Sequence, residues 1–413
     1  MQFLLSAVGS AGDVHPFIAI AQALLGRGHE VRIVALPPFE SRIRRAGIEF
    51  TPIGTQADYD RLVEQSDLWH PRRGARLLVD ELLDRLPEAY DCIAALTIPG
   101  KTVLVGSSLS WGVRLVQEKL GVRAATLHLS PMCLQSATAP AVLPFAGDLS
   151  WLPAWSMRLI QGAAEGLVID RVVSPRLNRV RAGLGLPPVD RIWSTWMHSP
   201  DLVIAAWPDW FAPKQPDWPP QTVTTGFPSF DETDAGLDPG LETFLANGER
   251  PVGITPGSAM AHGRDFLAKA IEACDASGLR AVVATPYRHQ LPDRLTDSVH
   301  HSPYVPFHRL LPRLTALIHH GGIGTSAAAL AAGVPQLVVP FAYDQFDNAA
   351  RLGRLDCSLT LKTTSGRADW TQAVHRLVTG STIRESATRA QARMMTSVPA
   401  SEMIAARLER LGS

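Results

Sequence analysis

Short apolar runs, each closed by glycine or a polar residue, alternate along the chain with longer stretches whose apolar positions recur at helical spacing. Strands covered on both faces read as continuous apolar runs, so the alternation predicts a doubly wound α/β fold. In the first half it places strands at Phe3–Val8, Glu30–Ala35, Thr102–Gly106 and Leu202–Ala206, and helices at Pro16–Arg27, Pro38–Ala46, Trp111–Leu120 and Val168–Gly183. The pattern breaks after Trp207. Pro208, Pro213, Pro216, Pro219 and Pro220 stand there among Trp210 and Trp218, which predicts a semi-rigid linker over 213–224. A second α/β unit follows, with strands at Pro251–Thr255, Arg280–Ala284, Ala316–Ile318 and Gln336–Val339. A last helix, from about Ser401 to Leu411, lies beyond that sheet. Domains are thus expected at 1–212 and 225–390, with 391–413 as a separate helical segment.

Composition narrows the class without naming a chemistry. A chain of 413 residues exceeds what one core usually supports. With 46% hydrophobic and 19% charged residues it is globular, and 39 basic against 39 acidic residues give no charged face for a nucleic acid. Cys92, Cys133, Cys274 and Cys357 form no C-x-x-C pair and read as reduced thiols of a cytoplasmic protein. Met1–Leu5 lacks a basic leader and reads as a first strand. The uncharged segment 124–147 is long enough to span a membrane, but Pro131, Pro140, Pro144 and Gly147 interrupt it. Its start, Ala124–Leu129, reads as core strand; the remainder suits an apolar acceptor pocket or a membrane surface.

The densest chemistry lies in His319-His320-Gly321-Gly322-Ile323-Gly324-Thr325, between a strand and an Ala-rich helix, with Asp344-Gln345 past the next strand. Glycines let the backbone approach a ligand and aim several N–H groups at one point, and the helix adds the positive end of its dipole. Such a turn suits a diphosphate, and a carboxylate and an amide beyond the next strand suit sugar hydroxyls. Gly322–Ala327 also fits the G-x-G-x-x-A dinucleotide fingerprint, with Asp344 about twenty residues further on, which keeps an NAD-dependent oxidoreductase open. A turn that serves only helix–sheet packing is the third reading.

Near the amino end, strand Phe3–Val8 runs into Gly9-Ser10-Ala11-Gly12, and Asp13 falls at a sheet's carboxyl edge just before a helix. An aspartate there is either a helix cap or a proton acceptor. Its ordinary pKa of about 4 is low for taking a proton from an alcohol, and an apolar acceptor that excludes water raises it. The 13 histidines show no H-E-x-x-H spacing and no Asp-x-Asp pair ends a strand. No metal and no cofactor are therefore expected, and leaving-group charge falls to His319, the helix dipole and backbone N–H groups.

His319–Thr325 as H-x-G-x-x-G-T, Ala332–Gln336 as A-G-V-P-Q and the terminal Asp344-Gln345 together resemble the donor signature of the inverting glycosyltransferases, which include antibiotic, flavonoid and sterol glycosyltransferases. The likeness extends through most of the chain, and Gly9–Phe17 looks like that family's first loop. Trp196-Met197-His198-Ser199-Pro200, Trp210-Phe211-Ala212-Pro213, Asp217-Trp218-Pro219 and Thr225-Gly226-Phe227-Pro228 look closest to the rhamnosyltransferases of bacterial rhamnolipid synthesis.

The resemblance implies a GT-B fold, two Rossmann-like domains facing across a cleft, with acceptor on the first and nucleotide sugar on the second. The C-terminal segment then packs back on the first domain. It implies Asp13 as general base, in the place before Val-x-Pro where many members carry histidine. As donor ligands it implies His319, the turn of Gly321, Gly322, Gly324 and Thr325, Ser258 after Gly257, and Ser10 from the opposite wall. Asp344 and Gln345 read the sugar, while His320 occupies a variable position and only packs. Tyr304-Val305-Pro306-Phe307 lies where plant members have W-x-P-Q, so Tyr304 and Phe307 keep a stacking platform for the base and lose one amide.

The implied reaction moves L-rhamnose, without a metal, from dTDP-L-rhamnose to a 3-(3-hydroxyalkanoyloxy)alkanoate. UDP-dependent glucosylation of a sterol, polyketide or phenolic, and a UDP-sugar epimerase, stay open beside it. The implied partners are a nucleotide sugar and an amphiphilic acceptor, with a membrane surface or a partner subunit supplying the lipid.

Overall fold

A computed structural model describes residues 1–230, 236–395 and 398–413. The chain forms two compact units. The first comprises 1–62, 72–230 and 398–413, and the second 63–71 and 231–397.

The first unit is built on seven parallel strands: β1 (Gln2–Ser6), β2 (Glu30–Ala35), β3 (Glu49–Pro52), β4 (Thr102–Ser107), β5 (Ala124–His128), β6 (Leu202–Ala205) and β7 (Thr222–Thr224). Their order is β3-β2-β1-β4-β5-β6-β7. Phe3, Leu4, Leu5, Ile33, Val34, Leu104, Val105 and Ile204 are all buried, because helices cover both faces. Strand order reverses between β1 and β4, and ligands of open α/β sheets bind outside the carboxyl ends at such a point.

The proline-rich stretch is not a linker. Trp207 and Trp218 are buried edge to face with ring centroids 6.0 Å apart, and the Trp207 indole donates to the Ala212 carbonyl at 3.1 Å. The chain then adds β7 to the sheet edge beside β6. The prolines lie between β6 and β7 and outside both strands, so they remove no ladder hydrogen bond. The expected boundary at 212–225 accordingly moves beyond Phe230.

The second unit has six parallel strands: β8 (Val252–Thr255), β9 (Ala281–Ala284), β10 (Val299–Ser302), β11 (Ala316–His319), β12 (Gln336–Val338) and β13 (Ser358–Thr360). Their order is β10-β9-β8-β11-β12-β13, with the reversal between β8 and β11. Side chains alternate between two cores, as strand geometry requires. Ala316 and Ile318 of β11 join Phe266, Leu267 and Trp370 on one face, and Leu317 joins Leu310, Leu314 and Ala329 on the other.

The segment 391–413 does not stay together. Helix Ser381–Met394 belongs to the second unit, whereas helix Ala400–Gly412 packs on helix Ala11–Gly26 in the first. No helix among the described residues is long and apolar enough to cross a membrane.

Candidate active site

In the second unit the loops after β8 and β11 lie at the point where strand order reverses. Gly322 is the N-cap of helix Ile323–Ala332, and the first amide to find a partner inside that helix is Ser326, on the Gly322 carbonyl at 3.0 Å. The N–H groups of Ile323, Gly324 and Thr325 therefore point out of the helix end. Gly324 and Ser258 are exposed and Thr325 is half-buried, so this end is open to a ligand. Gly321 has φ +90, and a Cβ there would meet Val338 at 2.8 Å and the Gln345 carbonyl at 3.1 Å.

The paired histidines divide the work differently from the expectation. His319 is wholly buried: its Nε2 donates to the Gln336 side-chain oxygen at 2.9 Å, and its Nδ1 accepts the Gly321 N–H at 3.1 Å. Both ring nitrogens are spent inside the protein, so His319 shapes the glycine turn and offers no nitrogen to a diphosphate. Burial, then the neighbouring His320, pushes its pKa down to about 3 and keeps it neutral.

His320 does more than fill space. A Cβ on Gly257 would come within 2.9 Å of its ring, and one on Gly322 within 2.4 Å. The imidazole is thus wedged between the β8 loop and the β11 turn and sets their spacing. Its Nδ1 has no hydrogen-bond partner among the described residues, and burial lowers its pKa to about 4.

His319→Ala is expected to lower the melting temperature as well as nucleotide affinity, because it strands the buried Gln336 amide and Gly321 N–H, at roughly 1–3 kcal/mol for each lost partner. Weaker nucleotide binding with an unchanged melting temperature would show a simple ligand instead.

Asp344 and Gln345 are tied to the same turn. Asn348 donates to Asp344 Oδ2 at 2.8 Å and to the Gly321 carbonyl at 2.9 Å, a link that no sequence signal announced. The Gln345 side-chain oxygen accepts the Phe341 and Ala342 amides at 2.7 and 3.1 Å, so it braces the loop after β12 and leaves only its NH2 for a sugar. Tyr304 is exposed and can stack on a base, whereas Phe307 is half-buried against the Leu310–Leu314 core.

In the first unit, Ser10 is the N-cap of helix Ala11–Gly26 and Asp13 lies at its N3 position, not at the cap. Asp13 Oδ2 accepts the Ser10 N–H at 2.7 Å and the Ser10 hydroxyl at 3.1 Å, the reciprocal half of a capping box. The Ser10 hydroxyl is thereby engaged within its own loop. No hydrogen bond reaches Asp13 Oδ1 among the described residues. Burial pushes the Asp13 pKa up, and the two Ser10 bonds pull it only part of the way back. His15 is unsuited as a base in this arrangement, since its Nε2 faces the Arg42 guanidinium at 2.9 Å.

Two family descriptions match: the glycosyltransferase family 28 N-terminal domain over residues 3–138, and the erythromycin biosynthesis protein CIII-like C-terminal domain over residues 273–411. Glycosyltransferase GtfC of Amycolatopsis orientalis is 32% identical, over 88% of this chain and 86% of its own. The chain belongs to the GT-B glycosyltransferases. Vancomycin aglycone glucosyltransferase of the same organism is 31% identical over 86% of this chain and 84% of its own. Among solved structures, the glycotransferase of kitacinnamycin superposes with TM-score 0.75 at 18% identity, covering 100% of this chain and 99% of that one. The spinosyn rhamnosyltransferase SpnG complexed with thymidine diphosphate gives 0.68 at 21% identity, with 99% and 100% covered. Both likenesses are of fold.

This glycosyltransferase also carries a buried relay that sequence reasoning missed. Ser108, just after β4, bonds His128 Nδ1 at 2.8 Å, and His128 Nε2 bonds His198 Nδ1 at 2.9 Å. Burial lowers both imidazole pKa values, that of His198 to about 4. The members lie about twenty and seventy residues apart, so spacing gave no hint of them, although His198 belongs to the Trp196–Pro200 motif.

Proposed function

We propose that the protein transfers L-rhamnose from dTDP-L-rhamnose to the free hydroxyl of a 3-(3-hydroxyalkanoyloxy)alkanoate, with inversion at the anomeric carbon. The observation that carries the transfer is the part-buried Asp13 carboxylate, its pKa raised and one oxygen without a partner among the described residues, at the reversal point of the first sheet. Asp13 takes the hydroxyl proton as the oxygen attacks the anomeric carbon, and the bond to the nucleoside diphosphate breaks on the opposite face. The departing negative charge is met by the Ile323–Thr325 N–H groups, the helix dipole and the Ser258 and Thr325 hydroxyls. These donors are fixed before the reaction begins, so they stabilise the developing charge without reorganising.

The thymidine nucleotide is supported by neighbours of the same fold, SpnG and VinC, whose structures carry thymidine diphosphate. The lipid acceptor is supported by the resemblance of the Trp196–Pro200 and Trp210–Pro228 motifs to those of rhamnolipid rhamnosyltransferases and by an exposed apolar face. Trp151, Trp155, Leu159 and Leu167 are each at least 66% exposed, and Glu165, the one carboxylate between Leu149 and Ile169, is buried. Such a face suits the lipid surface from which the acceptor is drawn. Trp155→Glu should then reduce co-sedimentation with anionic phospholipid vesicles; equal sedimentation of both proteins would remove that contact.

Neutral N–H donors at the diphosphate also lead us to expect full turnover in the presence of a chelator, and activity restored by magnesium after chelation would contradict it. The likeness to a glycopeptide glucosyltransferase favours a second reading, glucosylation of a rigid aglycone from a UDP sugar. Incubation with dTDP-rhamnose or UDP-glucose against a hydroxyalkanoyl lipid or a glycopeptide aglycone, with products identified by mass, decides between them. Product only with UDP-glucose and the aglycone would overturn the rhamnolipid reading.

A further inference from the structure

Residues 63–71 belong to the second unit, although the chain on either side of them belongs to the first. They carry a short 3-10 turn, Ser66–Trp69, that reaches two loops of the second sheet. In that sheet β8 and β12 lie on either side of β11 and run parallel to it, so the loops after them flank the glycine turn. Trp69 Nε1 donates to the Ala259 carbonyl at 3.2 Å, one residue past Ser258 in the loop after β8. The Trp69 ring meets Tyr343, in the loop after β12, edge to face with centroids 5.7 Å apart. The Tyr343 hydroxyl donates to the Leu68 carbonyl, and His262 Nε2 donates to the Glu64 carbonyl at 2.8 Å.

Tyr343 has φ +56, a left-handed conformation that a bulky residue keeps only where its surroundings hold it. It stands in the loop that the Gln345 side-chain oxygen closes through the Phe341 and Ala342 amides, and Asp344 follows it directly. Glycine would take this backbone conformation without cost. What tyrosine adds is the ring and hydroxyl that engage Trp69 and Leu68.

We infer that Trp69 and Tyr343 form a clamp, from one side of the glycine turn to the other, that fixes Asp344 and Gln345 for recognition of the donor's sugar. The inference rests on the transfer reading above, with Asp344 and Gln345 facing the sugar, and adds the element that sets their place. Trp69 is a positioning residue, acting through Tyr343. The diphosphate meets the Ile323–Thr325 N–H groups, which helix Ile323–Ala332 holds by itself. Loss of the clamp is therefore felt at the sugar and not at the nucleotide.

Two conservative variants of the full-length protein test this by calorimetry with dTDP and with dTDP-rhamnose. Trp69→Phe keeps a ring opposite Tyr343 and removes the bond to Ala259. Tyr343→Phe keeps the ring and removes the bond to Leu68. Each should weaken dTDP-rhamnose binding about three- to tenfold, the worth of one net hydrogen bond, with dTDP affinity close to the parent's. The double variant should lose less than the product of the single losses, because both bonds serve one clamp. UDP and UDP-glucose are titrated in parallel, so a protein that uses the uridine nucleotide gives the same comparison. Melting curves establish that each variant is folded. An unchanged ratio of sugar-nucleotide to nucleotide affinity in folded variants, or independent losses in the double variant, overturns the inference. Asp344→Asn tests the reading beneath it. If Asp344→Asn shifts the ratio and the clamp variants do not, the sugar is read at Asp344 without help from Trp69. If Asp344→Asn also leaves the ratio unchanged, the assignment of Asp344 to the sugar fails, and the clamp's role fails with it.

Discussion

Asp13→Asn is expected to slow sugar transfer by about 10²–10⁴, the usual worth of a positioned base, while melting temperature and dTDP affinity stay close to those of the parent. The structure makes the substitution clean. Asp13 contributes to the fold by accepting the Ser10 N–H, and an Asn side-chain oxygen accepts the same bond. What Asn cannot do is take a proton. In the parent, transfer should fall as pH drops through the raised Asp13 pKa, and in the variant that acid limb should disappear. Measuring the three quantities together separates the alternatives. An Asn variant of full activity would leave Asp13 as a capping-box member only, and would move the base to a residue other than His15, whose Nε2 is held by Arg42.

The second large effect concerns acid. His128 and His198 in the first unit, and His319 and His320 in the second, are buried and held neutral, with pKa values lowered chiefly by burial. In the unfolded chain each returns to about 6.5. Below that pH the unfolded state binds more protons than the folded one, so stability falls as pH drops from about 6.5 towards the folded values of about 4 at His198 and His320. Each of these two contributes on the order of 3 kcal/mol across that window. Asp13 acts in the opposite sense, because a raised carboxyl pKa favours the folded state as pH falls, but it is one group against four. Thermal melts at about pH 7 and about pH 5 should therefore differ by many degrees. Matching midpoints would mean that the imidazoles are solvated or already charged in the native protein.

The inner strands were legible in the sequence because parallel strands buried on both faces leave uninterrupted apolar runs, as in Phe3–Leu5 and Ala281–Val283, whereas the four edge strands β3, β7, β10 and β13 were not read. The glycine turn was legible because the constraint is local: Gly321, at φ +90, admits no side chain. Side-chain direction was not. Nothing in His319-His320 says which ring turns inward to Gln336 and which wedges against Gly257, a residue more than sixty positions earlier that reaches it only through sheet order. The proline-rich stretch misled for a related reason. Proline reports missing N–H donors, but burial of Trp207 and Trp218 decides whether such a segment packs or floats. Gln345 shows the limit of a motif: D-Q marks the loop, while the hydrogen bonds show that its amide oxygen serves the backbone.

Helix Ala400–Gly412 completes the first unit from the far end of the chain. Ile404 and Leu408 are fully buried, and Glu402 and Glu409 clasp Arg27 at 2.8 and 2.5 Å, with Glu409 also on His29 at 2.7 Å. Residues 63–71 make the reverse excursion and belong to the second unit. Chimaeras that exchange the two units between relatives therefore cannot be spliced once, near residue 230. A transplanted first half must bring residues 398–413 with it and give up 63–71 to its new companion. A single-junction hybrid would pair one parent's helix Ala11–Gly26 with the other parent's closing helix. Its loss of solubility would then report a mismatched seam and say nothing about whether the two specificities are compatible.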